Sequence, residues 1–245
     1  DNRSIHAMST IHCYNVVVRR FAIIMPVRDA VEALPETLKS LGPVQTTGRI
    51  RETVVADGGS TDGSQALAAA HGARIVESPP GRGRQLAAGA AIAESDWLLF
   101  LHADTRLSPG WEQAVAAFTD RPDATETAAV FRLAFDEESP AARRTAALAN
   151  WRTRWFGLPY GDQGLLIHRS LYETVGGYPE IPLMEDVAIA RRLGRRRIVT
   201  LDATATTSAA KYRRDGWWWR STRNLGLLSL YFLGVPPAML KRLYG

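Results

Sequence analysis

From Phe21 onward, short runs of bulky apolar residues alternate with stretches in which apolar positions recur three or four residues apart. The runs Phe21–Met25, Thr53–Ala56, Arg74–Val76 and Trp97–Leu101 have the length and residue types of strands buried on both faces. Between them, Val31–Leu41, Ser64–Ala70 and Gln85–Ala93 have helical spacing, and Ser60 or Thr61 is placed to cap the second of these helices. The order is βαβαβαβ. Right-handed crossovers then give an α/β domain with a Rossmann-like, mostly parallel sheet flanked by helices. After Asp104 the alternation is less regular. It predicts helices over Trp111–Phe118, Ala141–Phe156 and Leu171–Val175, and strands over Ala128–Phe135 (antiparallel or at an edge) and Gly164–Ile167. Val187, Ile189, Ala190 and Leu193 mark a further helix, and Leu225–Leu240 a C-terminal helical extension broken at Pro236-Pro237.

The chain has 245 residues, 46% of them hydrophobic and 22% charged, enough for one sizeable core and unlike a disordered chain. The formal charge of +5 is uneven: Arg191–Arg197 contains five arginines, and Lys211–Arg223 a lysine and four more. That bias favours anionic partners. The single cysteine, Cys13, excludes an intrachain disulfide, argues against a thiolate zinc site and fits a reducing compartment. Residues 1–18 read as an N-terminal extension, partly not native, with Met8 as a natural start. No uninterrupted apolar run is long enough for a membrane span.

Two acidic clusters follow predicted strands and so should emerge at the carboxyl ends of one sheet, where open α/β folds bind ligands. The first is Asp57-Gly58-Gly59-Ser60-Thr61-Asp62-Gly63-Ser64 and the second His102-Ala103-Asp104. The glycines after Asp57 let a ligand approach the backbone closely, and its carboxylate can accept hydrogen bonds from a base or ribose. Turn formation and helix capping are the structural alternative for this cluster, and capping is the main role expected of Asp62. Asp29, just past Pro26 at the end of the first strand, can likewise cap a helix starting near Ala30. Glu185 and Asp186 precede an apolar helical pattern, where a helix N-terminus stabilises carboxylates in any case.

Four segments in order, Met25-Pro26-Val27-Arg28-Asp29, Val55–Ser64, Phe100–Asp104 and Met184-Glu185-Asp186, resemble the family 2 glycosyltransferases of the GT-A fold, over about Phe21–Leu193. His102-Ala103-Asp104-Thr105, Gly161-Asp162-Gln163-Gly164 and Tyr231–Pro236 also look like a bacterial subgroup associated with arsenosugar-type biosynthesis. The resemblance implies transfer of a sugar from a nucleotide-sugar donor to an acceptor hydroxyl, with inversion and a divalent metal, Mn2+ or Mg2+. Pro26, Asp29, Asp57, Gly58, Arg84, His102, Ala103 and Asp104 would then bind the nucleotide sugar. Asp104 would ligate the metal, with His102 a second candidate; an imidazole there departs from the family's first aspartate and removes a negative charge. Of Glu185 and Asp186, Asp186 is the expected general base.

Metal and arginine would neutralise the leaving diphosphate. Arg84 stands on the glycine-rich turn opening the third helix, whereas Arg82 reads as solvated. Lys211, Arg213 and Arg214 are candidates for a flap over the diphosphate. Tyr160 and Gln163 lie on the acceptor side; Tyr160, Trp151 and Trp155 could stack against a sugar face or acceptor, with core packing the more frequent role of aromatics at helical spacing. The organisation implied is a catalytic domain over 19–208, with a nucleotide half (21–104) and an acceptor half (105–208), followed by a basic, aromatic helical segment over 209–245. Tryptophans and arginines over 217–240 suit peripheral contact with a membrane, near a lipid-linked acceptor; the expected location is the cytoplasm, at the inner face of its membrane. Oligomerisation stays open, and no specific nucleic-acid partner is expected. The rival readings are a nucleotidyltransferase and a non-enzymatic membrane or nucleic-acid binding module. The first would carry a glycine-rich loop after strand one, which Pro26–Asp29 does not provide. The second does not require Asp57, Asp104 and Asp186 at successive rims. A phosphatase nucleophile is excluded because His102 stands where its aspartate would be.

Overall fold

The computed structural model describes residues 20–42 and 48–244; the N-terminal extension and Cys13 lie outside them. Strands β1 (Phe21–Val27), β2 (Ile50–Asp57), β3 (Arg74–Glu77) and β4 (Trp97–Phe100) alternate with helices α1 (Leu34–Leu41), α2 (Ser64–Ala70) and α3 (Arg82–Ile92). After β5 (Thr105–Leu107) come α4 (Trp111–Thr119), β6 (Ala128–Phe135), α5 (Pro140–Phe156), β7 (Leu165–His168), α6 (Arg169–Thr174), α7 (Glu185–Leu193) and β8 (Ile198–Thr207). Helices α8 (Ala210–Asp215), α9 (Trp217–Phe232) and α10 (Pro237–Tyr244) complete the described chain.

The strands form one sheet in the order β3-β2-β1-β4-β7-β6-β8-β5. The β3-β2-β1-β4 half is parallel, as its crossover helices require. β7 runs antiparallel to β4 and β6, so the whole sheet is mixed. The β1 side chains show why its apolar run is continuous. Phe21, Ile23, Met25 and Val27 face one core with α1 and α4, while Ala22 and Ile24 face another with α3, α6 and α7. Both faces are covered.

Three departures from the expected elements have identifiable causes. α1 begins at Leu34 rather than Val31 because Val31 donates its amide to Asp62 Oδ2 (2.9 Å) and Asp29 takes a positive φ of 48°. α2 is preceded by left-handed Gly63 instead of a Ser60 or Thr61 cap, with Asp62 Oδ1 accepting from the Ser64 amide. β6 is antiparallel to β7, as expected, and lies in the interior of the sheet with β8 parallel on its other side. β8, whose buried Leu201, Ala203, Ala205 and Thr207 alternate with exposed or half-exposed residues, is built largely from small side chains and lacks the bulky apolar signal of a strand.

Candidate functional site

A partly open cleft lies beyond the carboxyl end of β4. It brings together Arg82 from the start of α3, His102 and Asp104 from the segment after β4, Glu185 and Asp186 from the first turn of α7, and Lys211 from α8. Tyr160, Asp162, Tyr212 and Tyr244 complete much of its wall. The last two belong to the C-terminal helices, which pack on α7 through Leu227, Leu228 and Leu240 against Leu183, Met184 and Val187. The C-terminal segment therefore walls the cleft.

Asp186 Oδ2 accepts the Gly161 amide (2.9 Å) and Oδ1 the Val187 amide (2.7 Å), so two backbone donors orient this half-buried carboxylate. Glu185 is buried beside Arg82, with Oε1 at 3.7 Å from Nε. Burial raises its pKa and Asp186 adds to the rise, with Arg82 opposing. Arg82 is itself held charged: burial works against the cation, but Glu185, Asp186, Tyr244 and Asp104 outweigh it. Met184, just before α7, sits at a φ of 68°, a left-handed conformation that a non-glycine side chain adopts at a cost of about 1–2 kcal/mol. Such strain is typical of sites whose geometry is fixed by their surroundings.

The Asp104 carboxylate accepts no hydrogen bond from the described residues; only its main-chain oxygen is used, by the Ser208 amide at 3.2 Å. Beside it, His102 is driven down to about 4 by burial and by Arg82 and Lys211, against Asp104 and Asp186, so its imidazole is neutral at physiological pH. No group of three or more His, Cys, Asp or Glu ligands is assembled among the described residues. One free carboxylate next to a neutral imidazole fits a divalent cation whose remaining ligands are phosphate oxygens and water, and does not fit a cage made wholly of protein.

The other sequence candidates lie elsewhere. Asp57 is buried at the end of β2 and is not among the residues lining this cleft, which Asp104 and Asp186 share. Its oxygens accept from the amides of Gly59 and Ser60, the Ser60 hydroxyl and Gln65 Nε2. Burial works to raise its pKa, but these donors outweigh it and hold the carboxyl below its ordinary range. Asp29 Oδ1 accepts the Thr61 amide (2.9 Å), and its own amide donates to Ser60 Oγ (3.0 Å), tying the loop after β1 to the loop after β2. Gly58 lies against Gln85, whose Nε2 donates to the Val27 and Ala56 carbonyls at the ends of β1 and β2. One turn of α3 thus separates these strand ends from Arg82 at the cleft.

Arg82, expected to be solvated, lines the cleft, whereas Arg84 pairs with Glu180 (3.7 Å) and is not among the lining residues. Gln163 is fully buried, bonded to Thr153 and the Phe131 carbonyl, and supports the core instead of facing a ligand. Arg213 pairs with Asp136 and Glu137, and Arg214 with Asp215, leaving Lys211 as the cation of that segment on the cleft. In the tail, Arg220 is buried against Asp215 and Tyr244, Arg223 lies over the Tyr244 ring, and Trp217 stacks on Tyr212. Part of the basic, aromatic pattern is therefore engaged within the protein, while Trp218 and Trp219 stay exposed. Trp151 and Trp155 are exposed as well, not core. No helix among the described residues is long and apolar enough to cross a membrane.

Asp162 was hidden in Gly161-Asp162-Gln163-Gly164, a motif visible in the sequence without a role. Its Oδ1 is buried and has no hydrogen-bond partner, and burial, with Asp186 and Asp104 adding and Arg152 and Arg82 opposing, pushes it up to about 6. Gly161 is required for space: a Cβ there would lie 2.5 Å from His102 Nε2.

Comparison with known proteins places this arrangement. Over 95 residues the chain is 30% identical to the glucosyl-3-phosphoglycerate synthase of Mycolicibacterium paratuberculosis (strain ATCC BAA-968 / K-10), covering 35% of this chain and 29% of that protein. The fold is shared with S. aureus TarS 1–349 in complex with UDP (TM-score 0.59, 19% identity, 78% of this chain and 61% of that one). It is shared also with the Mycobacterium tuberculosis glucosyl-3-phosphoglycerate synthase in complex with Mn2+, UDP and glucosyl-3-phosphoglycerate (TM-score 0.51, 20% identity, 78% and 70%). The chain thus spans less than a third of the curated relative it matches and under two thirds of the TarS fragment. Residues 22–177, well over half of the chain, match the family described as Glycosyl transferase family 2, and the protein belongs to that family of glycosyltransferases.

Proposed function

We propose that the protein transfers a sugar from a nucleoside-diphosphate sugar to an acceptor hydroxyl, in a single displacement that inverts the anomeric centre. The observation that carries this reading is the grouping of Asp104, Asp186, Arg82 and Lys211 on one cleft. Asp186 takes the proton from the acceptor hydroxyl as its oxygen attacks the anomeric carbon. The bond from that carbon to the diphosphate breaks, and the nucleoside diphosphate leaves. Glu185 is the weaker candidate for the base, being buried against Arg82, and its place is to hold that guanidinium. Arg82 and Lys211 face the charge that builds on the leaving phosphate oxygens. Asp104, with neutral His102 beside it, would hold a divalent cation, which supplies further neutralisation of the diphosphate when bound. Mn2+ with UDP in a structural neighbour supports uridine nucleotides and manganese as first choices.

Asp186→Asn tests the assignment. General base catalysis is worth about 10²- to 10⁴-fold, so kcat should fall by that amount while the Kd for UDP with Mn2+ stays within a few-fold of wild type. A variant with wild-type kcat refutes Asp186 as the base.

A further inference from the structure

We infer that the face formed by α5, α9 and α10 docks on an anionic lipid bilayer, its tryptophans and leucines entering the interface and its unpaired cations meeting the headgroup phosphates. This surface lies outside the cleft, and its role stands whether or not the transferase reading does.

Every large apolar side chain that is exposed among the described residues lies on these three helices or on the turn joining the last two. α5 turns Leu148, Trp151 and Trp155 outward at spacings of three and four residues, which is one helical stripe. α9 does the same with Trp218, Leu225 and Phe232, seven residues apart, while Thr222 and Ser229 fill the turns between them. An ordinary surface helix shows its charges to water, and α9 does the reverse. Its two arginines, Arg220 and Arg223, both pair with Asp215, and its exposed residues carry no charge at all. Single exposed leucines are normal on a protein surface, but a concentration of large apolar side chains on packed helices marks a contact site. α9 lies against both α5 and α10, so the apolar stripes sit on neighbouring helices.

The charges around these stripes select the partner. None of the three helices contains an aspartate or a glutamate. Arg144 and Arg154 are exposed on α5, and Lys241 and Arg242 on α10 next to exposed Leu243. From α7 and the turn after it, Arg191 lies over the Phe232 ring (5.0 Å) and Arg195 over the Trp155 ring (6.0 Å). None of these six cations pairs with a carboxylate among the described residues, whereas Arg51, Arg74, Arg106 and Arg132, on the strands, each do. Exposed cations resting beside exposed aromatic rings suit a surface that supplies anions at the depth where tryptophan partitions, which is the headgroup layer of a bilayer. A symmetric contact between two copies would set the same cations against one another. A single-stranded nucleic acid would use the arginines and tryptophans but would leave the leucines and Met239 without a role. The inner side of α9 gives Arg220, Asn224 and Leu227 to the cleft wall, so the docked helix is the one that borders the cleft.

The test is co-sedimentation of the full chain with vesicles of phosphatidylcholine alone and of phosphatidylcholine mixed equally with phosphatidylglycerol. Binding to the anionic vesicles should exceed binding to the neutral ones by about 10-fold or more and should weaken as salt is added. Trp218→Ala and Leu225→Ser should each lower partitioning about 10-fold, and Arg154→Gln and Arg195→Gln about 5-fold each on anionic vesicles. Arg132→Gln, a paired arginine on β6, should leave it unchanged. All five positions are exposed, so a folded variant is expected in each case and is checked by Tm. Absence of binding to anionic vesicles overturns the inference, as does binding that the Trp218 and Leu225 substitutions leave untouched or that is equal on neutral vesicles. A dimer dissolved by those two substitutions, or capture of a single-stranded oligonucleotide, with vesicles ignored in either case, overturns it in favour of that other partner.

Discussion

Replacing Gly161 by alanine probes the geometry of the site with one methyl group and no change of charge. The added Cβ would lie 2.5 Å from His102 Nε2 and 2.9 Å from Cε1, where ordinary contact begins at 3.4 Å. Relief requires a displacement of roughly 1 Å, taken by the imidazole, by the 160–162 segment or by both, and misplacement on that scale costs about 10²-fold in rate. Either route disturbs the reacting groups, because His102 adjoins Asp104 and the Gly161 amide holds Asp186. Overpacking should also cost about 1–3 kcal/mol of stability, and each 1 kcal/mol lowers Tm by about 2–4 °C for a chain of this size. The assay is kcat for sugar transfer or donor hydrolysis, together with Tm and the Kd for UDP. Gly226→Ala serves as the control, since a Cβ there meets open space in the middle of α9 and should leave Tm unchanged or slightly raised. Wild-type kcat in Gly161→Ala, within about three-fold, would refute the claim that His102 and Asp186 are held in register through this glycine.

Two further outcomes follow from the charges. Arg82→Ala should weaken UDP binding in the presence of Mn2+ by about 10-fold or more, while Arg84→Ala changes it less than about two-fold, because only the former faces the cleft; equal effects measured by titration calorimetry would contradict this division. Asp162 has a folded pKa of about 6 against an ordinary 3.8. Between these values the unfolded chain releases the proton that the folded chain retains, so the contribution to stability is complete at low pH and is lost as pH rises from about 4 to 6. Asp162→Asn should flatten that part of the Tm–pH curve, and an unchanged slope would show the carboxyl to be better solvated than its buried oxygen implies.

Much of the architecture was legible in the chain because strands buried on two faces leave continuous apolar runs and crossover helices leave a 3.6-residue period. β1 to β4 and α2 to α5 fall within a few residues of their expected places. Asp104 and Asp186 as site residues and Lys211 as a flap residue are expectations of the family resemblance, and all three line the cleft. Local pattern is silent where distance partners decide. α3 presents Arg82 to the cleft and Arg84 to Glu180 because Gln85, a turn further on, is pinned to the carbonyls of β1 and β2, and that sets the rotation of the helix. Asp57 is satisfied by four neighbouring donors, a fate that its residue type and strand-end position leave open. The tail reads as a basic and aromatic segment suited to a membrane surface, yet Arg220 is buried and Trp217 half-buried: Asp215 and Tyr212 meet them across the turn between α8 and α9, and Tyr244 reaches Arg220 from α10. Sequence thus determined the βαβ alternation of the first half and most of the helices, through periodicities that depend on near neighbours alone, but not β5, β8 or α8. The tertiary structure decided which charges meet on the cleft, because pairs such as Arg82 with Glu185 and Arg84 with Glu180 join residues about a hundred positions apart.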